Sequence, residues 1–533
     1  MRLKRYGIAV GAMAAGVALA ASEPKPAPWK TAWGEQGDGT FVNPVLPADY
    51  SDTDVIGVGD DFYAISSTFQ FSPGVVVLHS QDLVNWSVLS HAVRDLTQIA
   101  PQHNWDKMDR YGRGIWAGAI RFHGGRYWIY FGTPDEGFFM TSAANPAGPW
   151  ERLTPVMQAK GWDDCCPFWD DDGQGYLVGT NFSDNYKIHL FKMTADGAHL
   201  IPDSDRVIHQ SRGSEANKLY KINGMYYHYF SEVKAEGRVA MMERARSLDG
   251  PWEIRQLNHV NKAVDKEPNQ GGLVQLASGE WWFLTHQGDG DWEGRALCLL
   301  PVTWTDGWPL IGKVGADGIG NMVWSAPMPN IKGVGVAPRG GLRAVDEFDA
   351  KTLGPEWEWN YQPRAEKWSL EERPGFLRLH AFEPLKAGDL LKAGNTLTRR
   401  VLRSAAGEAV VKLDISGMAD GQQAGLCHLA RAYSMLGVTQ AGGTRTLAFS
   451  TGGKTSDAVA LAGTALWLKT SWDFDGKSQF AYSIDGKTFA SIGPPCQLTW
   501  SYYRGDRLGI YCFNDKADAG HVDVDAFETT FKR

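Results

Sequence analysis

The sequence is poor in cysteine, in helical periodicity and in metal-binding motifs. Six cysteines among 533 residues are too few for a fold held together by disulfide bonds, and the chain contains neither a CxxC nor an HExxH pattern. Its long apolar run, residues 7–20, is shorter than a membrane-spanning helix requires, although a retained anchor stays an alternative. These absences exclude a disulfide scaffold and a zinc site of either pattern.

The first twenty residues have the pattern of a secretory signal peptide. Three cations within the first five residues precede the apolar run, and Ala18-Leu19-Ala20 fits a cleavage site. We therefore expect residues 1–20 to be removed and the protein to be periplasmic or extracellular, without stable membrane insertion. Loss of those three cations takes the formal net charge from −8 to about −11, and a chain this acidic is not expected to bind nucleic acid.

Turn residues followed at once by aromatic residues occur five times before residue 310. Turn residues between alternating apolar runs are typical of β-hairpins. Hairpins at intervals of roughly 50–65 residues predict four-stranded blades arranged as a five-bladed β-propeller. The copies are Gly59-Asp60-Asp61-Phe62-Tyr63, Gly124-Gly125-Arg126-Tyr127-Trp128, Asp172-Gly173-Gln174-Gly175-Tyr176, Asn223-Gly224-Met225-Tyr226-Tyr227 and Ser278-Gly279-Glu280-Trp281-Trp282.

Changes in composition divide the chain into segments. Residues 21–38 are expected to form an extended leader and residues 39–325 the propeller, followed by a Pro- and Gly-rich linker over 326–342. In residues 343–533, short alternating segments separated by turns predict a β-sandwich of the jelly-roll type. The predicted fold class is therefore all-β, with a five-bladed propeller followed by a sandwich.

Three carboxylates occupy equivalent positions in this pattern. The first strand of each blade should begin some seven to ten residues before its hairpin turn, which places Asp52, Asp164 and Glu215 at the mouth of the central channel. The second blade offers Trp116 there, and the fifth offers residues 269–272. Such a set suits glycoside hydrolysis, in which one carboxylate deprotonates water, one carboxylic acid protonates the leaving oxygen, and a third group raises the pKa of the acid. The alternative is that these residues cap turns or face solvent.

Several motifs, in order along the chain, resemble those of glycoside hydrolase family 43, over about residues 40–315. The tail from about residue 343 resembles the concanavalin-like sandwich of the β-xylosidase and α-L-arabinofuranosidase branches of that family. The motifs are Phe41-Val42-Asn43-Pro44-Val45-Leu46, Tyr50-Ser51-Asp52, Phe71-Ser72-Pro73-Gly74, Cys166-Pro167-Phe168-Trp169-Asp170-Asp171-Asp172-Gly173, Ser214-Glu215-Ala216-Asn217 and Pro301-Val302-Thr303-Trp304-Thr305-Asp306-Gly307-Trp308.

The resemblance implies an inverting mechanism and assigns the three carboxylates. Asp52 falls on the general base, Asp164 on the residue that modulates the pKa of the acid, and Glu215 on the general acid. Base and acid carboxyl groups are then expected to lie about 6.5–9.5 Å apart, with a water molecule between them. Relatives often have proline after the base and after the modulator, where this chain has Thr53 and Cys165. Registers on Asp54 and Asp163 remain alternatives.

Four further residues are expected at the site, and the resemblance implies the roles of two of them, Arg295 and His286. Arg295 matches an arginine that reaches the sugar, with a surface ion pair as the alternative. Phe69 and Trp116 are expected to wall the pocket, with packing between blades as the alternative. His286 is expected to help hold a structural calcium ion through water molecules, with a structural histidine as the alternative. No cofactor is expected to be required for the chemistry.

The expected function is that of an inverting, exo-acting glycosidase. Its expected substrates are oligosaccharides of xylan, arabinoxylan or arabinan, from which it would release terminal β-D-xylose, α-L-arabinofuranose or both. The alternatives are an endo-acting xylanase or arabinanase of the same fold and a non-catalytic sugar-binding propeller. Retaining fructan hydrolases are disfavoured because their Trp-x-Asn-Asp-Pro-Asn-Gly opening is absent. The sequence does not determine the oligomeric state.

Overall fold

The computed structural model describes residues 32–260, 268, 270–287, 291–331 and 342–532. The predicted signal peptide 1–20, residues 21–31 of the predicted leader and residues 332–341 of the predicted linker lie outside the described residues. The described residues form β-strands, turns and short 3₁₀ helices but no α-helix, which confirms the predicted all-β class. The 3₁₀ helices span Leu96–Gln98, Pro101–His103, Ala365–Lys367 and Leu390–Lys392.

Within the described ranges, the first half of the chain folds into five four-stranded antiparallel sheets, here named blades 1 to 5. Blade 1 comprises Asp54–Val58, Asp61–Ser66, Gly74–Ser80 and Ser87–Val93. Blade 2 comprises Gly118–His123, Arg126–Thr133, Gly137–Ala143 and Thr154–Gln158. Blade 3 comprises Trp162–Trp169, Gly175–Asn181, Lys187–Met193 and Arg206–Gln210. Blade 4 comprises Glu215–Ile222, Met225–Lys234, Gly237–Ala245 and Glu253–Gln256. Blade 5 comprises Gly271–Gln275, Trp281–Gln287, Ala296–Thr305 and Trp308–Ile311.

Each predicted turn joins the first two strands of a blade. Gly59 and Gly224 adopt φ values of 64° and 76°, in the left-handed region that tight hairpin turns require and glycine adopts at little cost. Apolar side chains fill the space between neighbouring blades, as Val55 of blade 1 and Leu284 of blade 5 do. First strands of blades 5 and 1, 1 and 2, 2 and 3, and 3 and 4 contact one another, as expected of strands that surround a central channel.

The two ends of the propeller segment are held together by a small sheet. Thr40–Val42 pairs with Gly34–Glu35 on one side and with Ser325–Pro327 on the other, so the start of the predicted linker is a strand. The Asn43 side chain donates hydrogen bonds of 2.8 Å to the carbonyls of Leu299 and Val323. A short hairpin, Lys313–Val314 with Gly320–Asn321, follows blade 5.

The second half of the chain is a sandwich of two antiparallel sheets. Alternating residues of both sheets, such as Val411, Leu468, Leu426 and Leu436, form its apolar core. The first sheet contains Leu342–Asp346, Trp368–Ser369, Leu377–His380, His521–Phe531, Gly407–Asp414, Ala465–Trp472, Lys477–Ser483, Ala490–Ser491 and Cys496–Gln497. The second contains Lys454–Leu461, Thr444–Thr451, Ser434–Ala441, Gln422–His428, Arg507–Asn514, Leu397–Arg400, Glu358–Asn360 and the propeller strand Phe71–Ser72.

The two domains share this second sheet. Phe71–Ser72 leaves blade 1 and pairs with Glu358–Asn360 at the edge of the sandwich. Beside this pairing the buried Glu358 carboxylate lies 2.6 Å from Arg400 and 2.5 Å from Arg507. Burial raises the pKa of Glu358, but the two guanidinium groups outweigh it and hold that pKa well below its usual range. The interface is therefore built from buried, paired charges as well as from backbone hydrogen bonds.

Within the described ranges no helix is long and apolar enough to cross a bilayer.

Candidate active site

A pocket of about 540 Å³ opens at one end of the central channel. The first strands of the blades begin at this end of the channel. The turns between the second and third strands of the blades lie at the same end, and together these segments form the pocket. All seven site residues expected from the sequence contribute to its wall, namely Asp52, Phe69, Trp116, Asp164, Glu215, His286 and Arg295. The structure therefore brings together side chains from each of the five blades.

Irregular backbone directs the carboxylates into the pocket. Asp52 and Asp164 have φ values of 55° and 52°, and Ala216, next to Glu215, has a φ of 69°. Strand pairing is interrupted between Asp163 and Cys166 in blade 3 and again after Glu215 in blade 4. Such bulges turn side chains away from the regular alternation of a strand, and they are common next to active sites.

Three hydrogen bonds hold Asp52: its carboxylate accepts two, and its backbone amide donates the third. Its carboxylate accepts a hydrogen bond of 2.7 Å from Arg295 Nη1 and one of 2.6 Å from the Ser67 hydroxyl. Its backbone N–H donates to His286 Nδ1 at 2.8 Å. Burial raises the pKa of Asp52, but Arg295, His286 and the Ser67 hydrogen bond outweigh it, so this pKa lies below its usual range. Asp52 is therefore an ionised, fixed carboxylate.

The pKa of Glu215 is shifted in the opposite direction, upward. Burial raises the pKa of Glu215 to about 7, and the negative charge of Asp164 acts in the same direction. Arg238 Nη1 lies 3.1 Å from Glu215 Oε1 and lowers that pKa in part. Glu215 therefore keeps a proton near neutral pH, as a general acid must.

Asp164 and Asp163 both line the pocket. Asp164 accepts a hydrogen bond of 2.8 Å from the Gln270 side chain, and burial raises its pKa despite the nearby Lys218. Burial raises the pKa of Asp163 well above its usual range, and the adjacent Asp164 raises it further. Because two adjacent carboxylates are unfavourable when both are charged, the stronger rise of the pKa of Asp163 favours the proton on Asp163 and the charge on Asp164.

Asp54, the alternative to Asp52, has a different position. Its side chain is fully buried between blades 1 and 2, where it accepts hydrogen bonds of 2.6 Å from Arg121 and 3.0 Å from the amide of Ile120. Asp54 is therefore a structural ion-pair partner beneath the pocket.

Aromatic rings form the upper wall. Phe69 and Phe182 lie on two sides of Trp116, with ring centroids 6.3 and 6.0 Å from it. Tyr503 of the sandwich packs edge-on to Trp116 at 6.4 Å, and Arg295 lies 5.2 Å from the Tyr503 ring. These apolar faces beside polar groups suit the binding of a sugar ring.

The expected role of His286, to help hold a calcium ion through water molecules, stays a prediction. Its Nδ1 atom accepts the Asp52 amide hydrogen, so in the neutral ring the other nitrogen carries the proton and can donate it to water. Across the part of the chain that the structure describes, no group of three or more His, Cys, Asp or Glu side chains could hold a metal ion. Its hydrogen bond with the Asp52 amide makes His286 a residue that orients the backbone of Asp52.

Sequence reasoning did not identify Arg238 and Tyr503 as site residues. Arg238 follows the turn between the second and third strands of blade 4, and this turn lies at the same end of the blade as the start of its first strand. Tyr503 reaches the pocket from the second domain. The hairpin geometry of a blade could have predicted Arg238, because the turn before it returns to the channel end. No sequence pattern around residue 503 predicts that it reaches a channel formed by residues before 310.

A buried relay of hydrogen bonds supports Asp164 from behind. His209 Nδ1 lies 2.6 Å from Glu243, and the second oxygen of Glu243 lies 3.1 Å from His228 Nδ1. His228 Nε2 contacts Asn217 at 3.0 Å, and the Asn217 amide donates to the carbonyl of Asp164 at 2.9 Å. This relay fixes the backbone of Asp164.

Comparison with known proteins agrees with this geometry. Residues 41–309 match the model of glycosyl hydrolases family 43, and residues 345–530 match that of the beta xylosidase C-terminal concanavalin A-like domain. A beta-xylosidase of Formosa agariphila is 33% identical over 93% of this chain and 91% of its own length. A non-reducing end alpha-L-arabinofuranosidase of Bacteroides ovatus is 32% identical over 64% of this chain and 65% of its own.

Solved structures show the same two-domain fold. The GH43 protein BlXynB of Bacillus licheniformis, as the K247S mutant, superposes with a TM-score of 0.79 at 26% identity, covering 92% of this chain and 99% of its own. Both family models and this full-length relative agree on the order of the propeller and the sandwich. The chain belongs to glycoside hydrolase family 43 and is a glycoside hydrolase with the concanavalin-like C-terminal domain.

Proposed function

We propose that this glycoside hydrolase is an inverting, exo-acting enzyme that removes terminal β-D-xylose or α-L-arabinofuranose from hemicellulose oligosaccharides. The observation that carries the proposal is the contrast between Asp52 and Glu215. Both lie in one pocket, yet the pKa of Asp52 is lowered while burial raises that of Glu215 to about 7. A base and an acid are thus available together near neutral pH.

The proposed reaction uses these groups in one displacement. The Asp52 carboxylate takes a proton from a water molecule, and the water oxygen forms a bond to the anomeric carbon. The bond from that carbon to the leaving oxygen breaks, and the Glu215 carboxylic acid protonates this oxygen. One water is consumed, Asp52 ends protonated and Glu215 ends ionised, and proton exchange with solvent restores both.

Other pocket residues support these two roles. The Asp164 charge favours the protonated form of Glu215 before the reaction. Arg295 orients Asp52 and lies at the pocket wall, where a guanidinium group can bind sugar hydroxyls. Tyr503 narrows the mouth from the side of the sandwich, which favours binding of a chain end over binding of a chain interior.

The names of the relatives support the choice of sugar. The relatives include a beta-xylosidase and an alpha-L-arabinofuranosidase, so both sugars are proposed for this chain. The signal-like pattern of residues 1–20 supports export to the periplasm or the extracellular space.

Time-resolved proton NMR on arabinose-branched xylo-oligosaccharides tests the proposal. Xylose released first as the α-anomer is expected of an inverting β-xylosidase, and arabinose released first as the β-anomer of an inverting arabinofuranosidase. Release with retained configuration would contradict the role of Asp52 as a base that acts through water. Internal fragments without free monosaccharide would contradict exo action. Glu215→Gln serves as the matched control and should release neither sugar at an appreciable rate.

A further inference from the structure

A strained turn of the sandwich domain reaches the propeller beside the pocket. Ser501 and Arg504 pair across the turn, and Tyr502 and Tyr503 between them have φ values of 53° and 66°. Two consecutive left-handed residues that are not glycine are unfavourable, and such strain is usually retained where it positions a side chain. Gly505, next in the chain, lies so close to blade 5 that an added Cβ would be 2.3 Å from the carbonyl carbon of Glu293.

Arg504 is inserted from this turn between segments of the propeller. Its side chain is 2% exposed. Its Nη2 atom lies 2.7 Å from Asp49 Oδ2, and its guanidinium carbon lies 4.6 Å from the centroid of the Phe69 ring. Its Nη1 atom donates a hydrogen bond of 3.0 Å to the carbonyl of Ser67. A cation of the second domain thus contacts the propeller segments that flank Asp52.

Ser67 connects Arg504 to the catalytic carboxylate. The Ser67 hydroxyl donates a hydrogen bond of 2.6 Å to Asp52 Oδ2, and the Ser67 amide donates one of 3.1 Å to the carbonyl of Ser51. A shift of the Ser67 peptide would therefore move both the hydroxyl and the backbone next to Asp52. Arg504 opposes such a shift because it holds the carbonyl of the same residue.

We propose that Arg504 is a positioning residue for Asp52, acting through Ser67, so that the sandwich domain is a working part of the catalytic apparatus. The proposal rests on the role of Asp52 as the base, given above. It assigns the second domain a task besides the aromatic wall that Tyr503 contributes. The charge of Arg504 also favours the ionised form of Asp52.

The charged and titratable groups around Asp52 come from four elements besides its own segment. They are Arg295 and His286 of blade 5, Asp163 and Asp164 of blade 3, Glu215 of blade 4 and Arg504 of the sandwich. The pKa of Asp52 is raised by burial and lowered by Arg295, His286, the Ser67 hydrogen bond and Arg504, in that order, with a net lowering. Loss of Arg504 or of the Ser67 hydroxyl should therefore raise this pKa, and activity on the acidic side should be lost at a higher pH.

The experiment measures the pH dependence of kcat/KM for the full-length protein and its Arg504→Met, Arg504→Lys and Ser67→Ala variants. Arg507→Lys is the matched control, because Arg507 is equally buried in the same interface but pairs with Glu358. We expect Arg504→Met and Ser67→Ala to move the acidic limb to higher pH by about half a unit to one unit, with kcat lowered about tenfold and KM nearly unchanged. Arg504→Lys should move the acidic limb by a smaller amount. Arg507→Lys should lower the melting temperature without moving the limb.

Non-additivity provides the second readout. If Arg504 acts through Ser67, the double variant should shift the limb by less than the sum of the two single shifts. An Arg504→Met protein that is folded and keeps the limb of the wild type would overturn the proposal. If Arg504→Met does not fold, the test uses Arg504→Lys, Ser67→Ala and their double variant. Shifts of the acidic limb that add fully in this double variant would overturn the proposal.

Failure of the proposed function would look different. If Asp52→Asn retained full turnover, Asp52 would not be the base, and the proposal for Arg504 would fall with it. If Asp52→Asn were inactive while Arg504→Met kept the acidic limb of the wild type, only the proposal for Arg504 would be overturned.

Discussion

Arg238 Nη1 lies 3.1 Å from Glu215 Oε1, and the pKa of Glu215 is nevertheless raised to about 7. An ion pair at this distance normally stabilises the charged carboxylate, so burial and the charge of Asp164 outweigh it here. The same Arg238 nitrogen also donates to the carbonyl of Gly213 at 2.6 Å and to the Ser231 hydroxyl at 3.1 Å, so its hydrogen bonding is shared. The acid is therefore poised between two opposing influences.

Replacement of Arg238 should extend activity to higher pH. In Arg238→Met the largest lowering influence on Glu215 is gone while that of Arg295 remains, so the pKa of Glu215 should rise above about 7 and the alkaline limb of kcat/KM should move upward. The measurement is the pH profile of kcat/KM against an oligosaccharide, with Arg238→Lys as the control that keeps the charge. An alkaline limb that moved downward, or did not move, would contradict this account of Glu215.

Asp164 and Asp163 should respond differently to the same substitution. Asp164→Asn removes a negative charge that raises the pKa of Glu215, so the alkaline limb should move to lower pH. Asp163→Asn replaces a carboxyl group that already holds a proton, so it should leave that limb almost where it was. The pair is matched in size and chemistry, and pH profiles of both variants make the comparison. Equal shifts in the two variants would show that the proton does not reside on Asp163.

The aromatic wall from the sandwich should contribute to binding. Tyr503 is 45% exposed at the mouth of the pocket, and its ring packs against Trp116 and Arg295. We expect Tyr503→Ala to raise KM about tenfold, equivalent to about 1.4 kcal/mol, with a smaller effect on kcat. Tyr503→Phe retains the ring and should stay within about twofold of the wild type. A similar rise in KM for Tyr503→Phe would assign the effect to the hydroxyl group instead.

Local chemistry explains why much of the fold could be predicted from the sequence. A turn such as Asn223-Gly224 requires left-handed backbone, and the aromatic and β-branched residues after it fit a pleated strand. Repetition of this unit is sufficient to predict blades, and the geometry of blades is sufficient to bring Asp52, Asp164 and Glu215 to one pocket. The two family models bear out the resemblance to family 43 and its concanavalin-like tail.

The remainder of the site depends on features that have no local signature. A regular strand would direct Asp163 and Asp164 to opposite faces, and only the bulge in blade 3 allows both into the pocket. Tyr503 and Arg504 reach the site because Phe71–Ser72 joins the sheet of the sandwich, which is a pairing between distant parts of the chain. The hydrogen bond between the Asp52 amide and His286 Nδ1 joins blade 1 to blade 5, and no pattern local to residue 286 predicts it.

The relay behind Asp164 should make stability depend on pH. Burial lowers the pKa of His209, but the Glu232 carboxylate, 3.8 Å away, and the Glu243 carboxylate, which accepts a hydrogen bond from it, outweigh this effect and raise the pKa to about 9. Burial raises the pKa of Glu243, but hydrogen bonds from His209 and His228 lower it to about 2. The contribution of His209 is thus fully present below its ordinary pKa of 6.5 and is lost as the pH rises through about 9. That of Glu243 is present above 4.5 and is lost as the pH falls through about 2.

His209→Gln should therefore destabilise the protein in a pH-dependent way. At pH 5.5 both contributions are present, and loss of a hydrogen bond between charged groups should lower the free energy of unfolding by about 1.5–3 kcal/mol. At pH 9.5 His209 is largely neutral in the folded wild type, so the difference between wild type and variant should narrow. Urea unfolding at the two pH values measures this, with His199→Gln, an exposed histidine of the same blade, as the control. A difference of the same size at both pH values would mean that His209 stabilises blade 3 by packing alone, because a neutral packing contact does not titrate.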